Sequence, residues 1–524
     1  MKDQSKSAFR TPVHLSRWLF GMMIVVILVL AGLFAYRLIN QPFDAPTTIQ
    51  QPLEETQEPG DKQNPLKDGG IVLEGVPHYR IQLDIDLDAL KYQGEMYLDY
   101  VNNEEITQDH LFFRLLPNGK GSFGDGSLSV SFVEVNGNPV STSLSIRDTV
   151  LKVELPDPLE SGHGVQLKFV FEGLIPENFG NSEGSSGYGI FNYSDKVLAL
   201  SAWYPMLSVY DQGSWSLHPT SYIGDSIFSD CAYYSVTIRL PADMQLIATG
   251  IEQEQDIAGS EQILTYESGP VRDFFIVASP NFEKSSQFVD GTDVNVFYLP
   301  GQKTAAQQAL SVAVESLKVF NQQFGPYPYT ELDVVEAPMR YALGVEFPGI
   351  VLISSDLFVT PEKPEFAVTV AHEVAHQWWY NVVGNHVFEE PWLDEGLVTY
   401  SSSLYYEFGP MQSVPLQLIS FWQGRVAQIV QAGQDEMIVQ PLEYFENLED
   451  TSVYSRVVYM KAALFFYELR REIGDEAFFS ALRNYYQEQQ FKIAHAQDLF
   501  EAFETASGRS LETFYSQKLY SAQP

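Results

Sequence analysis

The most informative segment of this sequence is His372-Glu373-Val374-Ala375-His376, which has the form H-E-x-x-H. Residues four apart share one face of a helix, so His372 and His376 can present two imidazoles to one metal ion. Glu373 follows the first histidine directly and can reach a water molecule on that metal. The segment before it, residues 365–371, contains no glycine or proline and can be helical. The pattern therefore predicts a metal-binding helix.

A catalytic zinc ion usually takes three protein ligands, so a third must come from elsewhere in the chain. Glu395 is the candidate, in the segment Pro391-Trp392-Leu393-Asp394-Glu395-Gly396. Eighteen residues separate it from His376, and Pro391 is well placed to begin a second helix. Two antiparallel helices joined by a loop over residues 381–390 would bring Glu395 over the histidines. We therefore predict one Zn²⁺ per chain, bound by His372, His376 and Glu395.

The alternative interpretation is a solvated helix face that carries two incidental histidines. With only nine histidines in 524 residues, a chance H-E-x-x-H is expected on the order of once in a hundred such chains. The downstream W-L-D-E-G makes coincidence rarer still.

These motifs together resemble peptidase family M1, the aminopeptidase N family of gluzincins. The resemblance rests first on H-E-x-x-H, eighteen residues, and then the glutamate within W-L-x-E-G. Three further segments are similar to family motifs: Phe324-Gly325-Pro326-Tyr327-Pro328-Tyr329, Leu343-Gly344-Val345-Glu346-Phe347 (family G-A-M-E-N) and Tyr459-Met460-Lys461-Ala462 (family Y-x-K-G). The resemblance runs from about Tyr79 to near the C-terminus and is strongest between Phe324 and Ala463.

The resemblance implies a role for four residues beyond the metal ligands. Glu373 would be the general base that takes a proton from the attacking water, and Tyr459 would donate a hydrogen bond to the oxyanion. Glu346 would bind the free N-terminal amine of a peptide, and Tyr454 would line the substrate pocket. The alternatives are core packing for the two tyrosines and a solvated strand-edge position for Glu346.

Composition limits the class of protein and of partner. The chain has 31 basic and 68 acidic residues, a net charge of −37, which argues against nucleic acid as a partner. Apolar residues make up 45% of the chain, which is typical of globular protein. Cys231 is the only cysteine, so no intramolecular disulfide is possible.

An uncharged apolar run from Trp18 to Tyr36 lies between Arg17 and Arg37. Its nineteen residues would span roughly 30 Å as a helix, the thickness of a bilayer core. Four basic residues precede the run and one follows closely, so the positive-inside rule places the N-terminus in the cytoplasm. We predict a cytoplasmic tail over residues 1–16, a transmembrane anchor over 17–37 and a catalytic domain outside the cell. A cleaved signal peptide is the alternative, with Ala31 and Ala35 near a cleavage position.

The remaining chain divides into a stalk and two domains. Residues 38–70 are rich in proline, glutamine, glutamate and threonine and predict a flexible stalk. The alternation of apolar and polar residues from Tyr79 to Leu87, and similar runs after it, predict an all-β domain over 71–285. Asn136-Gly137 is a hairpin signal.

Residues 286–524 then predict a catalytic domain with helical periodicity over most of its length. Expected helices are 304–323, 453–472, 475–487, 496–506 and 511–520, and strands at 332–336 and 350–353 place Glu346 near a strand edge. The fold class is thus α+β: a transmembrane helix, an all-β domain and, as the resemblance implies, a thermolysin-like zinc peptidase domain with a short helical C-terminal tail.

The sequence therefore predicts a membrane-anchored zinc metallopeptidase that acts on peptides and releases their N-terminal residues. Two alternatives stay open: an endopeptidase with an open cleft, and a binding protein on a peptidase scaffold that has lost activity.

Overall fold

The alternating stretch near Tyr79 forms a central strand of the largest sheet. Within His78–Asp86 the side chains of Ile81 and Leu83 are buried, whereas Gln82 and Asp84 between them are exposed. One face of the strand therefore packs on the core and the other faces solvent, as a period of two requires.

The computed structural model describes residue 66 and residues 73–180, 187–409 and 414–522. The predicted cytoplasmic tail and the predicted transmembrane anchor lie outside these described residues. Of the predicted stalk, only Leu66 is described, and it is buried and forms an isolated bridge with Tyr329. Among the described helices, none is both long and apolar enough to cross a membrane.

Strands dominate the described residues up to Tyr298. They are β1 (His78–Asp86), β2 (Lys91–Val101), β3 (Gln108–Arg114), β4 (Ser127–Val135), β5 (Asn138–Pro139), β6 (Thr142–Ser145), β7 (Val150–Leu159), β8 (Gly164–Leu174), β9 (Phe191–Ser194), β10 (Val197–Leu200), β11 (Met206–Leu207), β12 (Tyr210–Asp211), β13 (Ser214–Trp215), β14 (Tyr233–Pro241), β15 (Gln245–Ala248), β16 (Ile251–Ala258), β17 (Glu261–Glu267), β18 (Ile276–Ser279), β19 (Glu283–Val289) and β20 (Thr292–Tyr298).

Strands β1 to β18 form three sheets and one separate pair, whereas β19 and β20 belong to a further sheet described below. The strand orders of the three sheets are β16-β17-β14-β1-β2-β8-β4-β5, β15-β18-β10-β9 and β11-β3-β7-β6, with β12 and β13 as a separate pair. Asn136 and Gly137 form the predicted tight turn between β4 and β5, both with positive φ. Strand β3 ends at Arg114, because Leu116 begins a 3₁₀ helix that has Pro117 in its first turn.

Helices dominate the rest of the chain. They are α1 (Lys303–Gln323), α2 (Ser355–Phe358), α3 (Pro364–Ala375), α4 (Trp392–Phe408), α5 (Pro415–Gln431), α6 (Leu442–Glu446), a π-helix (Ser455–Lys461), α7 (Ala462–Ile473), α8 (Asp475–Gln489), α9 (Ala496–Ser507) and α10 (Glu512–Lys518). The interleaved strands are β21 (Glu331–Ala337), β22 (Gly344–Phe347), β23 (Ile350–Ser354), β24 (Gly384–Asn385) and β25 (Ile493–Ala494). The predicted α+β class is confirmed, and the predicted domain boundaries stay predictions.

A five-stranded sheet, in the order β19-β20-β21-β23-β22, supports the helices around the H-E-x-x-H motif. Strand β22 is an edge strand that runs antiparallel to β23, and α3 packs against both. Gln377, one turn after the motif begins, fixes this contact: its amide accepts a hydrogen bond from the Gly349 N–H at 2.9 Å and donates to the Phe347 carbonyl at 3.0 Å.

A buried arginine joins the β-rich part to the loop that follows α3. Arg272 is only 2% exposed, and its guanidinium donates to the carbonyl oxygens of Ser229 at 3.0 Å, Tyr380 at 2.6 Å and Lys492 at 2.5 Å. A Cβ at Gly384 would lie 2.1 Å from the Arg272 Cζ, so only glycine fits beside the guanidinium. The loop between the two metal-site helices is therefore held from the β-rich side.

Candidate metal centre and active site

Helix α3 brings the two histidines of the motif onto one face. His372 lies in its last turn and His376 is its C-cap residue, with their ring centroids 4.9 Å apart. The His376 Nδ1 lies 3.2 Å from the Trp379 carbonyl oxygen. Because a carbonyl can only accept, this contact places the proton on Nδ1 and leaves Nε2 free to bind a metal.

Helix α4 supplies the predicted third ligand. Pro391 is its N-cap, and Glu395 lies in its first turn, 5% exposed. One carboxylate oxygen, Oε2, is 3.3 Å from the His372 Nε2 and 3.5 Å from the His376 Nε2. The structure thus brings together the three residues that the spacing predicted.

This arrangement fits a metal ion. The Glu395 Oε2 is buried, and it accepts no hydrogen bond within the described part of the chain. One potential ligand atom from each of the three residues lies within 4.8 Å of the other two. Burial raises the pKa of Glu395, but the close contacts with His372 and His376 and their charge outweigh burial and lower it to about 2. Two imidazoles and an ionised carboxylate are a donor set that zinc prefers.

Glu373, the predicted base, points from α3 toward β22. A Cβ at Gly344 would lie 2.4 Å from the Glu373 Oε1, so the carboxylate rests on the bare backbone of that strand. Burial, followed by the charge of Glu395, raises the pKa of Glu373 to about 8, although His376 opposes the shift. Glycine is therefore needed at position 344 to make room for the Glu373 carboxylate, which the resemblance to a family motif did not indicate.

Glu346, the predicted amine anchor, lies on β22 beside this base. It is 7% exposed, and its Oε1 is 3.9 Å from the His376 Nδ1. Atoms of Glu346, Glu373 and His376 lie within 4.8 Å of one another. Phe347, which replaces the asparagine of the family motif, turns away and stacks on Phe275 with ring centroids 3.7 Å apart. The departure at Phe347 therefore leaves the carboxylate of Glu346 in place.

Asp225 is a site residue that sequence reasoning missed. Its carboxyl group hydrogen-bonds to Glu346, and burial followed by the charge of Glu395 raises its pKa to about 7. Asp225 and Glu346 line a small cavity of about 30 Å³ together with Asp273, whose Oδ1 is buried without a hydrogen-bond partner among the described residues. No local pattern in the sequence links residue 225 to the metal motif.

The loop that carries Asp225 is anchored to the helical part. Glu446 accepts hydrogen bonds from the Ser221 hydroxyl and from the Tyr222 N–H. A Cβ at Gly224, which has a φ of +63°, would lie 2.5 Å from the Tyr454 hydroxyl. The glycine therefore allows this loop to close against Tyr454, the predicted pocket residue.

Tyr459, the predicted oxyanion donor, reaches the metal ligands directly. Its hydroxyl donates a hydrogen bond to the Glu395 Oε1, and its ring stacks on His372 with centroids 6.0 Å apart. Tyr454 packs edge-on against it at 5.8 Å. Burial, and then the negative charge of Glu395, hold the pKa of Tyr459 well above its usual value, so the hydroxyl keeps its proton.

Part of the chain matches a known family. Residues 308–518 match the model of the Peptidase family M1 domain. The chain is 24% identical over 459 residues to "Aminopeptidase M1" of Arabidopsis thaliana, which covers 84% of this chain and 49% of that protein. It is 25% identical over 472 residues to "Aminopeptidase 2" of Candida albicans, covering 83% and 46%. The chain therefore spans about half the length of these relatives.

Solved structures share the fold. A mutant of the M1 zinc metallopeptidase of Deinococcus radiodurans superposes with a TM-score of 0.63 at 20% identity, covering 87% of this chain and 95% of that one. Another structure of that mutant, bound to a Tyr-Ser-Ala substrate, gives a TM-score of 0.62.

The geometry predicts that Glu395→Gln weakens zinc binding while the chain stays folded. The change removes a carboxylate that faces both Nε2 atoms, and loss of outer partners alone already costs about 10–100-fold in metal affinity. We expect a loss of more than about 100-fold, measured by competition with a zinc chelator on the full-length chain. Glu389→Gln, a matched change in the loop between the two helices, should leave zinc affinity unchanged. Equal affinity in the two variants would exclude Glu395 as a ligand.

Proposed function

We propose that this chain, in which residues 308–518 match the Peptidase family M1 domain that its motifs resemble, is a zinc-dependent metallopeptidase that releases N-terminal residues from peptides. The observation that carries the proposal is the carboxylate of Glu346, which lies within 4.8 Å of both Glu373 and His376. An acidic anchor at that distance would hold a substrate ammonium one residue away from the bond to be cleaved.

Each residue around the metal centre can take a different role in the hydrolysis. When bound to His372, His376 and Glu395, Zn²⁺ supplies a Lewis acid that activates water and polarises the carbonyl. Glu373 takes the proton of the attacking water and passes it to the leaving amine. The Tyr459 hydroxyl donates to the oxygen on which negative charge develops.

Recognition of a free N-terminus would come from Glu346 and Asp225. Their carboxyl groups contact each other in a partly closed pocket, and a substrate ammonium can bond to both. An N-acetylated or internal peptide segment offers no cation there and would leave both groups unpaired. This asymmetry favours an aminopeptidase over an endopeptidase with an open cleft.

We further propose that residues 17–37 anchor the protein in the cell membrane, with the N-terminus in the cytoplasm and the catalytic part outside. The support is the apolar run between Arg17 and Arg37 and the excess of basic residues before it. A cleaved signal peptide would also export the catalytic part but would release it from the membrane.

The base is tested by Glu373→Gln. The amide keeps the shape of the side chain but cannot accept a proton, so kcat should fall by about 10²–10⁴-fold while zinc content stays the same. Hydrolysis of aminoacyl reporter substrates and metal analysis of the full-length chain would be measured together. Glu365→Gln, the same change in the exposed first turn of α3, is the control and should keep full activity. Full activity in Glu373→Gln would contradict the mechanism, whereas an inactive parent chain that binds zinc would favour the binding-protein alternative.

The amine anchor is tested by Glu346→Gln with paired free and N-acetylated peptides. The parent should cleave the free peptides well and the acetylated ones poorly. The variant should lose about 2–4 kcal/mol of transition-state stabilisation on free peptides, because the charge-assisted contact is gone. The ratio of kcat/KM on free peptides to kcat/KM on acetylated peptides, which is the gap between the two substrates, should therefore decrease.

Two controls define the meaning of this result. Asp225→Asn should narrow the gap in the same direction, whereas Glu283→Gln, on the opposite edge strand of the same sheet, should leave it unchanged. A parent chain that cleaves acetylated peptides internally as well as free ones would refute the aminopeptidase proposal and favour the endopeptidase.

The membrane topology is tested by adding a protease to intact cells, or to spheroplasts if there is an outer membrane. The catalytic part should be digested or released, and a tag at the N-terminus should stay protected. Protection of the whole chain would refute the orientation, and a catalytic part already free in the medium would point to a cleaved signal peptide.

A further inference from the structure

The chain carries Tyr459 on a π-helical turn rather than on the plain helix that the periodicity predicts. The turn spans Ser455–Lys461 and continues directly into α7. A π-helix is rare, occurs mostly as a single turn within an α-helix and is frequently found at functional sites. Some interaction must therefore hold these seven residues in the wider winding.

Lys461, at the end of the turn, makes four hydrogen bonds, three of which are partly buried. Its ammonium donates to both carboxylate oxygens of Asp435, at 2.8 and 2.9 Å, and to the Glu436 carbonyl at 2.6 Å. A further contact reaches the Ser521 carbonyl at 3.3 Å. The Asp435 side chain is fully buried and that of Lys461 is 13% exposed. The ammonium of Lys461 is thus bound to residues 435 and 436, which lie outside the helix that carries Lys461.

The turn also abuts the metal-ligand helix α4. A Cβ at Gly396, the residue after Glu395, would lie 2.4 Å from the Ala462 Cβ and 3.4 Å from the Val458 carbonyl oxygen. The turn is therefore confined by its contact with the backbone of α4 and by the Asp435–Lys461 pair. Tyr459 lies in the middle of this confined segment, with its hydroxyl on Glu395.

Stability alone is a weak reason for such a pair. Burying two charges costs solvation energy that their attraction often does not repay, and well-packed apolar residues frequently serve stability better. A buried pair does, however, fix geometry, because its atoms have few other satisfied positions. Here the fixed element is the turn that aims a reacting hydroxyl.

We propose that Lys461 and Asp435 are positioning residues for Tyr459: their buried ion pair holds the π-helical turn that directs the Tyr459 hydroxyl at Glu395 and at the reaction centre. The kinetic consequence rests on the proposed function, and the geometric consequence does not. Lys461 bonds to Asp435, Glu436 and Ser521 rather than to a metal-ligand side chain, so the effect of the pair passes through the turn that carries Tyr459.

The kinetic test compares Lys461→Met, Tyr459→Phe and the double variant in the full-length chain. Loss of one oxyanion donor typically costs about 10²–10³-fold in kcat, so Tyr459→Phe should fall by that amount and Lys461→Met by about 10–100-fold. KM and zinc content should change little. In the Tyr459→Phe background, Lys461→Met should cause almost no further loss, because residues that act as one unit are not additive. Independent, multiplying losses would overturn the proposal, as would an unchanged kcat in Lys461→Met.

Controls separate positioning from folding. Lys518→Met breaks an exposed pair with Glu468 near the same end of the chain and should keep full activity. Asp435→Asn keeps the size of its side chain and should reproduce the kinetic pattern of Lys461→Met. If circular dichroism shows that Lys461→Met is unfolded, Asp435→Asn decides alone by the same criteria.

A readout without catalysis distinguishes failure of the inference from failure of the proposed function. The chain is labelled with 3-fluorotyrosine, and the fluorine NMR signal of residue 459 is assigned as the one missing in Tyr459→Phe. That signal should shift or broaden in Lys461→Met and in Asp435→Asn, but not in Lys518→Met. An unchanged signal in these two variants would overturn the positioning role. If the signal shifts as expected but the parent chain hydrolyses no peptide, only the proposed activity is refuted.

Discussion

The site depends on one constraint: a buried carboxylate, Glu395, must be matched on both of its oxygens. Tyr459 satisfies Oε1 with a hydrogen bond, whereas Oε2 faces two imidazole nitrogens at 3.3 and 3.5 Å without one. An ionised carboxylate in such surroundings is stable only beside positive charge. The arrangement is therefore a reason for α3 and α4 to hold a cation between them.

The β-rich part contributes to this site as much as the helices do. Arg272 holds the loop after α3 through the Tyr380 carbonyl, and Asp225 adds a carboxyl group beside Glu346. Gln377 fixes the end of the motif helix to β22. The acidic pocket around Asp225 and Glu346 thus lies where α3, the edge strand β22 and a loop from the β-rich part meet. A change in any of these three elements would alter the distance between Glu373 and Glu346.

The parts of the site that follow from local spacing were predictable, and those that follow from distant contacts were not. The four-residue interval of His372 and His376, the proline before α4 and the strand-edge position of Glu346 are all local signals. Asp225 and Asp435 come from loops whose sequence contains no pattern that refers to the site. The π-helical turn was also missed, because its apolar periodicity over seven residues is too close to that of an α-helix and only its contacts with α4 and Asp435 set it apart.

Under the proposed function, selectivity for a free N-terminus comes more from the unfavourable binding of blocked peptides than from the favourable binding of free ones. Glu346, Glu373 and Asp225 bring three carboxyl groups around one small space, where burial and their mutual repulsion raise their pKa values, so an entering cation favours their ionised forms. A neutral acetyl group would desolvate the same carboxyl groups without pairing them, and buried polar groups left unpaired are what allow a site to reject a near-identical ligand. The net charge of −37 adds a long-range attraction for cationic peptides, but that attraction is screened by salt. Salt does not screen the short-range cost of leaving buried carboxyl groups unpaired. Discrimination between free and acetylated peptides should therefore persist at ionic strengths at which any general preference for basic peptides has been lost.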